Sequence, residues 1–195
     1  MFLKLDAKKK AFFKETFETI GVAVILALII RSFIIQPFKI PTGSMEPTLL
    51  PGDRILVVRY IYGLRIPFTF KRLAKFKHPQ TGDIIVFNYP EDTKRAFIKR
   101  CIGTPGDEIE IKNGEIRLNG STLKKQPING IYYYNRGDFA RENKSIKIPE
   151  DSFFVLGDNS ASSKDSRYWG YLEDKYLIGK AVMIYWPLNR IRILK

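Results

Sequence analysis

E-I-E-I-K-N-G-E-I-R-L-N-G, residues 108–120, decides the fold class. Ile109 and Ile111 alternate with charged residues, Asn113-Gly114 interrupts, and Ile116 and Leu118 alternate again. A period of two places these apolar residues on one face of a strand pair. Asn-Gly accepts positive φ at both central positions of a type I′ turn, the turn whose twist suits a two-residue hairpin. The stretch therefore predicts a β-hairpin. Outward from it, R-I-L-V-V (residues 54–58), D-I-I-V-F (83–87), S-F-F-V-L (152–156) and A-V-M-I-Y-W (181–186) are short, β-rich runs. Gly-Asp pairs recur beside them in P-G-D-R, T-G-D-I, P-G-D-E and L-G-D-N, which reads as turn chemistry. After residue 38 only residues 71–77 suggest a helical period. The expected fold is mainly β: a partly closed β-barrel or packed antiparallel sheets. Residues 121–147 are polar, charged and Tyr-rich, and read as an extension with little core of its own.

The chain starts differently. T-I-G-V-A-V-I-L-A-L-I-I (residues 19–30) is apolar, and after Arg31 and Ser32 the character resumes in Phe33, Ile34 and Ile35. The strict run is shorter than the roughly 20 residues a membrane helix needs. It reaches that length if Glu18 and Arg31 sit at the two interfaces, with Arg31 snorkelling. Lys4, Lys8, Lys9, Lys10 and Lys14 precede it, so the positive-inside rule keeps that end cytoplasmic. A cleaved leader is the rival reading, but R-S-F-I-I-Q-P lacks a small-x-small cleavage site. The expected organisation is a basic cytoplasmic tail (1–15), a single transmembrane anchor (16–37) and an extracytoplasmic β domain (38–195).

Composition narrows the chemistry. The chain has 195 residues, a formal net charge of +13, one Cys (Cys101) and one His (His78). Such a basic excess suggests an anionic partner, nucleic acid or lipid headgroups. No intramolecular disulfide can form, and a zinc site built on Cys and His is not expected. Any Ser-His-Asp triad would have to use His78, which lies in the loop-like K-F-K-H-P-Q-T-G-D.

K-I-P-T-G-S-M-E-P-T-L, residues 39–49, holds Ser44 between prolines just past the anchor. Pro41, Gly43 and Pro47 exclude a helix and favour a fixed extended or turned backbone. That suits either a linker or a rigid mount for a nucleophile. A serine nucleophile needs a base, and without His the candidates are Lys, Asp and Glu. A lysine base must be neutral, so its pKa must fall from about 10.4 towards about 8 at a cost of about 3 kcal/mol. An apolar pocket is required. Lys99 lies in A-F-I-K-R-C-I-G, and strand alternation puts it on one face with Phe97 and Cys101, with Ile98 and Arg100 facing out. The competing reading of Lys99 is a solvated edge lysine. S-T-L-K (121–124) mimics a Ser-x-x-Lys motif but follows Asn119-Gly120 in a turn, without the accompanying motifs, so Ser121 reads as surface. L-G-D-N-S-A-S-S-K-D-S-R-Y-W-G (156–170) reads as a polar loop with Asx turns or as a buried polar network between two strands.

Together these blocks resemble the type I signal peptidases, membrane-bound Ser-Lys enzymes that cut signal peptides from exported proteins. The similarity spans nearly the whole chain in order: an anchor, I-P-T-G-S-M-E-P-T-L, G-D-R-I-L-V, F-I-K-R-C-I-G-T-P-G-D, G-D-N-S-A-S-S-K-D-S-R-Y-W-G and I-G-K-A-V-M-I-Y-W-P. The resemblance implies that Ser44 is the nucleophile and Lys99 its base. It implies that Ser163 bonds the Lys99 amine, that Asp165 and Arg167 form a supporting ion pair, and that the Ser44 N–H and Thr42 hydroxyl make the oxyanion hole. Ile40, Pro41, Met45 and Ile98 are the expected pocket residues, selecting small side chains as in Ala-x-Ala. Thr42 stands where the family often has Ser, and Ser160-Ala161-Ser162 departs from an Arg-Asp-Asn pattern, which questions any charged contact there.

The implied setting is the inner membrane of a bacterium, with preproteins and membrane lipid as partners and no nucleic acid, metal or cofactor. The aromatic and basic stretch at 60–77 suits anionic lipid or is an ordinary loop. Two rivals remain open. One is a self-cleaving regulator with the same Ser-Lys pair, which the N-terminal anchor disfavours. The other is a non-enzymatic, membrane-tethered basic module.

Overall fold

The computed structural model describes residues 2–30, 34–65, 69, 72–74, 76–142 and 144–194. An N-terminal helix, α1 (Phe2–Ile29), precedes fourteen strands among the described residues. These are β1 (Ile35–Lys39), β2 (Arg54–Val58), β3 (Leu64–Arg65), β4 (Arg72–Ala74), β5 (Ile84–Tyr89), β6 (Asp92–Gly103) and β7 (Glu108–Lys112). They continue as β8 (Glu115–Leu118), β9 (Ser121–Thr122), β10 (Ile146–Lys147), β11 (Ser152–Leu156), β12 (Leu172–Glu173), β13 (Leu177–Trp186) and β14 (Arg192–Ile193). One short helix, α2 (Ser166–Trp169), lies between β11 and β12.

The main sheet has eight antiparallel strands in the order β1-β2-β13-β5-β6-β11-β12, with β14 added to β13. No pairing joins β1 to β12 among the described residues, so the expected partial barrel is an open sheet and no closed barrel forms. β10-β7-β8-β9 form a second sheet and β3-β4 a third. Burial follows the pattern of each run. In β2 alternate residues Ile55 and Val57 are fully buried, as a half-covered strand requires. All five residues of β11 are buried, because both of its faces are covered.

The hairpin reads out as the sequence demands. Ile109 faces Leu118 and Ile111 faces Ile116 across β7 and β8. Asn113 and Gly114 have φ of 53° and 79°, the paired positive values of a type I′ turn. Asn119-Gly120 repeats this turn into β9, and Ser121 is exposed there. Gly114→Ala is expected to destabilise the protein by about 1–2 kcal/mol through its left-handed φ, read as a lower midpoint in urea. The nearby Tyr132 ring is exposed and can swing aside, so the backbone sets the cost.

β6, the strand that carries Lys99, runs over twelve residues. Three expectations change. Residues 72–74 form β4, paired with β3, so the expected helix at 71–77 is absent there; residues 66–68, 70, 71 and 75 lie outside the described residues. The extension at 121–147 does build core: Ile128, Tyr133 and Ala140 are buried with Ile102, Ile109, Ile111, Ile116 and Phe154. Finally, Ile35–Lys39 pair with β2, so the sheet begins before the anchor boundary expected at residue 37.

Among the described residues no helix is long and apolar enough to cross a membrane. The uncharged part of α1 starts at Thr19 and ends with the helix at Ile29, after Lys14, Glu15 and Glu18. It rises only about 16 Å at 1.5 Å per residue. Phe12, Phe13, Phe17, Ile20, Val22, Val24, Ile25, Leu26 and Leu28 are all exposed on it. Arg31, Ser32 and Phe33, on which the anchor's expected far end depends, lie outside the described residues.

Candidate active site

The loop carrying Ser44 is a mount. Its apolar residues Ile40, Met45 and Leu49 are all but fully buried in the core beside Ile55, Val57 and Ile84. Burial of each such side chain stabilises the loop by about 1.5–3 kcal/mol. Ile40 N–H donates to the Asp53 carbonyl at 2.8 Å, and Gly52 N–H returns a bond to the Ile40 carbonyl at 2.8 Å. Asp53 then accepts a two-pronged contact from Arg190 at 2.9 Å. The base of the loop is pinned on both sides.

Lys99 comes from β6, opposite Ile85 of β5. It is only 3% exposed, so the solvated edge reading fails. Its amine donates to Ser44 Oγ at 2.7 Å and to the Ile98 carbonyl at 3.0 Å, and stands 5.4 Å from the Phe97 ring centre. Burial pushes the amine down to about 8; Asp165 and Asp158 pull it up, and Arg167 adds to the fall. A neutral lysine in hydrogen-bond contact with a serine hydroxyl can take its proton.

Arg100 does not face out. It is 1% exposed, and the reason is a partner the sequence reading missed. Its Nε and Nη2 donate to the two carboxylate oxygens of Asp158 at 2.8 and 2.6 Å, and Nη1 donates to the Gly82 carbonyl at 2.8 Å. Asp158 also accepts from the Thr48 hydroxyl at 2.5 Å. The signal was a second charged residue inside an apolar strand, matched by an Asp directly after the apolar S-F-F-V-L-G.

Asp165 and Arg167 form the expected pair, both fully buried, with Nε–Oδ1 and Nη2–Oδ2 at 2.8 Å. Asp165 caps α2 and accepts the Gly157 N–H at 3.1 Å. Ser166 Oγ accepts from Val155 N–H at 3.0 Å and ties α2 to β11. Ser160, whose place the family often gives to a charge, supplies a hydroxyl to Arg167 Nη1 at 2.8 Å instead.

Residues 157–159 link the two halves. Gly157 donates to Asp165, Asp158 grips Arg100, and Asn159 donates its N–H to the Ser44 carbonyl and its Nδ2–H to the Gly43 carbonyl, both at 3.1 Å. A methyl on Gly157 would collide with the Ser44 carbonyl and Ser163 Oγ. Only glycine allows this approach.

Two expected placements differ, those of Ser163 and Met45. Ser163 Oγ is buried beside Gly157 but has no hydrogen-bond partner; it does not bond the Lys99 amine. Thr42 is exposed two residues before Ser44. Of the expected pocket residues, Ile40, Pro41 and Ile98 line a small cleft of about 30 Å³ with Phe38, Lys39, Ile55, Val86, Ala96 and Phe97. Met45 does not, because it is fully buried in the core. A cleft of about 840 Å³ lies elsewhere, between His78, Tyr62, Thr104 and Lys180, and none of these candidate residues lines it.

A serine hydroxyl bonded to a buried lysine amine, on antiparallel sheets, defines a serine hydrolase that uses lysine in place of histidine. The family model described as Signal peptidase, peptidase S26, matches residues 13–186, and the chain belongs to this family. It is 39% identical to the signal peptidase I of Leptolyngbya laminosa over 91% of this chain and 81% of that one. It is 38% identical to a probable signal peptidase I-2 of a Synechocystis species over 92% of this chain and 76% of that one. A crystal structure of a signal peptidase I from Enterococcus faecalis, 28% identical, covers 54% of this chain and 98% of its own with a TM-score of 0.44.

Proposed function

We propose that this chain removes N-terminal signal peptides from exported preproteins, with Ser44 as nucleophile and Lys99 as general base. The 2.7 Å contact between the buried Lys99 amine and Ser44 Oγ carries the reading. Lys99 takes the Ser44 proton as Oγ attacks the scissile carbonyl. The Ser44 N–H and the Thr42 hydroxyl stabilise the oxyanion. The intermediate collapses, the C–N bond breaks, and the Lys99 ammonium gives its proton to the leaving amine. An acyl-enzyme remains on Ser44. Water, losing a proton to Lys99, attacks it; the bond to Ser44 Oγ breaks, Lys99 returns the proton to Oγ, and the signal peptide leaves with its new carboxylate. Asp165 and Arg167 support the site from beneath.

The cleft beside Ile40, Pro41 and Ile98 accepts the residues before the cut, and its small volume favours Ala-x-Ala. The exposed apolar side chains of α1, from Phe12 to Leu28, anchor the chain in the inner membrane, the basic tail on the cytoplasmic side and the sheets outside. Tethering holds Ser44 near the depth where a signal peptide emerges, raising effective concentration. The net charge of +13 suits anionic lipid.

The test uses the full chain in detergent with a preprotein carrying Ala-x-Ala. The expected product starts at the residue after the second Ala, by mass spectrometry, and Ser44→Ala forms none. Phe at the position before the cut is expected to lower kcat/KM by at least about tenfold. Cleavage that survives Ser44→Ala would sink the assignment. No cleavage by the wild-type chain, with lipid binding intact, would favour the basic module.

A further inference from the structure

The segment at 131–139 belongs to none of the motifs, yet it reaches the centre of the polar network. Its outer end is stapled to the β7–β8 hairpin. Tyr133 N–H donates to the Gly114 carbonyl at 2.8 Å, and Asn135 Nδ2–H donates to the Ile111 carbonyl at 2.8 Å. Its inner end grips Arg167. The Tyr134 carbonyl accepts from Arg167 Nη1 at 3.1 Å, and Tyr134 N–H donates to Ser160 Oγ at 3.0 Å, the hydroxyl that Arg167 also reaches. Phe139 N–H donates to the Arg167 carbonyl at 3.0 Å. Arg136 Nη1 donates to the Ala161 carbonyl at 2.9 Å. Gly137, at φ 72°, lies so close to the Arg167 carbonyl that a methyl there would strike it. Tyr133, fully buried, packs in the same core as Ile102 and Leu156, the neighbours of the site on β6 and β11.

We infer that residues 131–139 are a positioning strap: they complete the cage around the Arg167 guanidinium and thereby hold the Asp165–Arg167 pair in register with Ser44 and Lys99. The link is continuous. Arg167 fixes Asp165, Asp165 holds the Gly157 N–H, and residues 157–159 carry the Ser44 and Gly43 carbonyls. The inference rests on the Ser44–Lys99 reading above. Strap residues act through Arg167 and touch no reacting atom.

The charged groups around Lys99 give the strap a signature beyond stability. Asp165 and Asp158 raise its pKa and Arg167 lowers it, with Arg100 bound to Asp158 and the protonated Tyr133 phenol close by. Loosening the cage withdraws the Arg167 cation and frees the Asp165 carboxylate. Both changes favour the ammonium form of Lys99, so the pH limb of kcat/KM must move up.

The experiment compares pH profiles of the full chain with Gly137→Ala, Ser160→Ala and, as a stability control, Ile128→Ala. Ile128 packs just ahead of the strap, in the same core as Tyr133. Gly137→Ala and Ser160→Ala are expected to lower kcat about 10- to 100-fold with KM within about twofold, and to raise the limb by at least about half a pH unit. Ile128→Ala is expected to lower Tm and leave the limb in place. Ser160→Ala removes one hydroxyl and no backbone, and carries the test if Gly137→Ala does not fold. A limb unmoved in both Gly137→Ala and Ser160→Ala would overturn the strap alone. A wild-type enzyme without a limb near 8 would overturn the Ser44–Lys99 reading and the strap with it.

Discussion

Lys99→Ala is expected to lower kcat/KM by about 10²–10⁴-fold or more, the contribution of a positioned general base, while the protein stays folded. Lys99→Arg should rescue nothing, because a guanidinium stays protonated at any working pH. Activity of the wild-type enzyme should be governed by the neutral fraction of Lys99. With its amine held at about 8 by burial, kcat/KM climbs about tenfold per pH unit below that value and levels above it. Linkage gives the same group a second trace. Between about 8 and about 10.4 the unfolded chain binds a proton that the folded chain has released, so this group's contribution to stability rises with pH across that window. A histidine base would place the limb near about 6.5. His78 is exposed and lines the large cleft instead. A limb near 6.5 that vanished in His78→Ala would overturn the lysine assignment, as would full turnover in Lys99→Arg.

Local chemistry was legible in the sequence where one short window contained all of it. The type I′ hairpin needed only its alternating residues and Asn113-Gly114, and both turned out as read. The mount around Ser44 was legible because Pro41, Gly43 and Pro47 restrict the backbone whatever surrounds them. The burial of Lys99 was half legible, since Phe97, Ile98, Cys101 and Ile102 flank it. Its neighbour Arg100 was misread by the same alternation. Alternation says which side a residue takes but not whether that side is covered, and Asp158 with the loop at residue 82 covers the side that Arg100 takes. Ser163 shows the opposite limit. A motif supplies the residue, but its hydroxyl lies against Gly157, where the Ser44 carbonyl of a loop far away in sequence also approaches. The strap at 131–139 was invisible for a further reason: its grip on Arg167 runs mainly through backbone groups, which have no residue code.

Asp158→Ala is expected to be the most destabilising single change in the site. It takes the carboxylate away from the buried Arg100 guanidinium, and it strips Thr48 of its acceptor. Removing one partner of a buried ion pair costs about 3–5 kcal/mol. In a chain of this size that is a fall in Tm on the order of 10 °C, a large share of a domain's whole stability. The origin of the cost is a buried charge that loses its counter-ion, and that makes a sharper test. Arg100→Met in the Asp158→Ala background removes the charge and fills the space with an apolar chain. The double variant should therefore be more stable than Asp158→Ala alone, with a coupling of several kcal/mol in a double-mutant cycle. Activity should not return with stability. Asp158 also fixes residues 157–159, and with them the Ser44 and Gly43 carbonyls. Costs that simply add would mean that the pair carries no mutual dependence. Recovery of cleavage along with stability would mean that residues 157–159 hold Ser44 in place without help from Asp158.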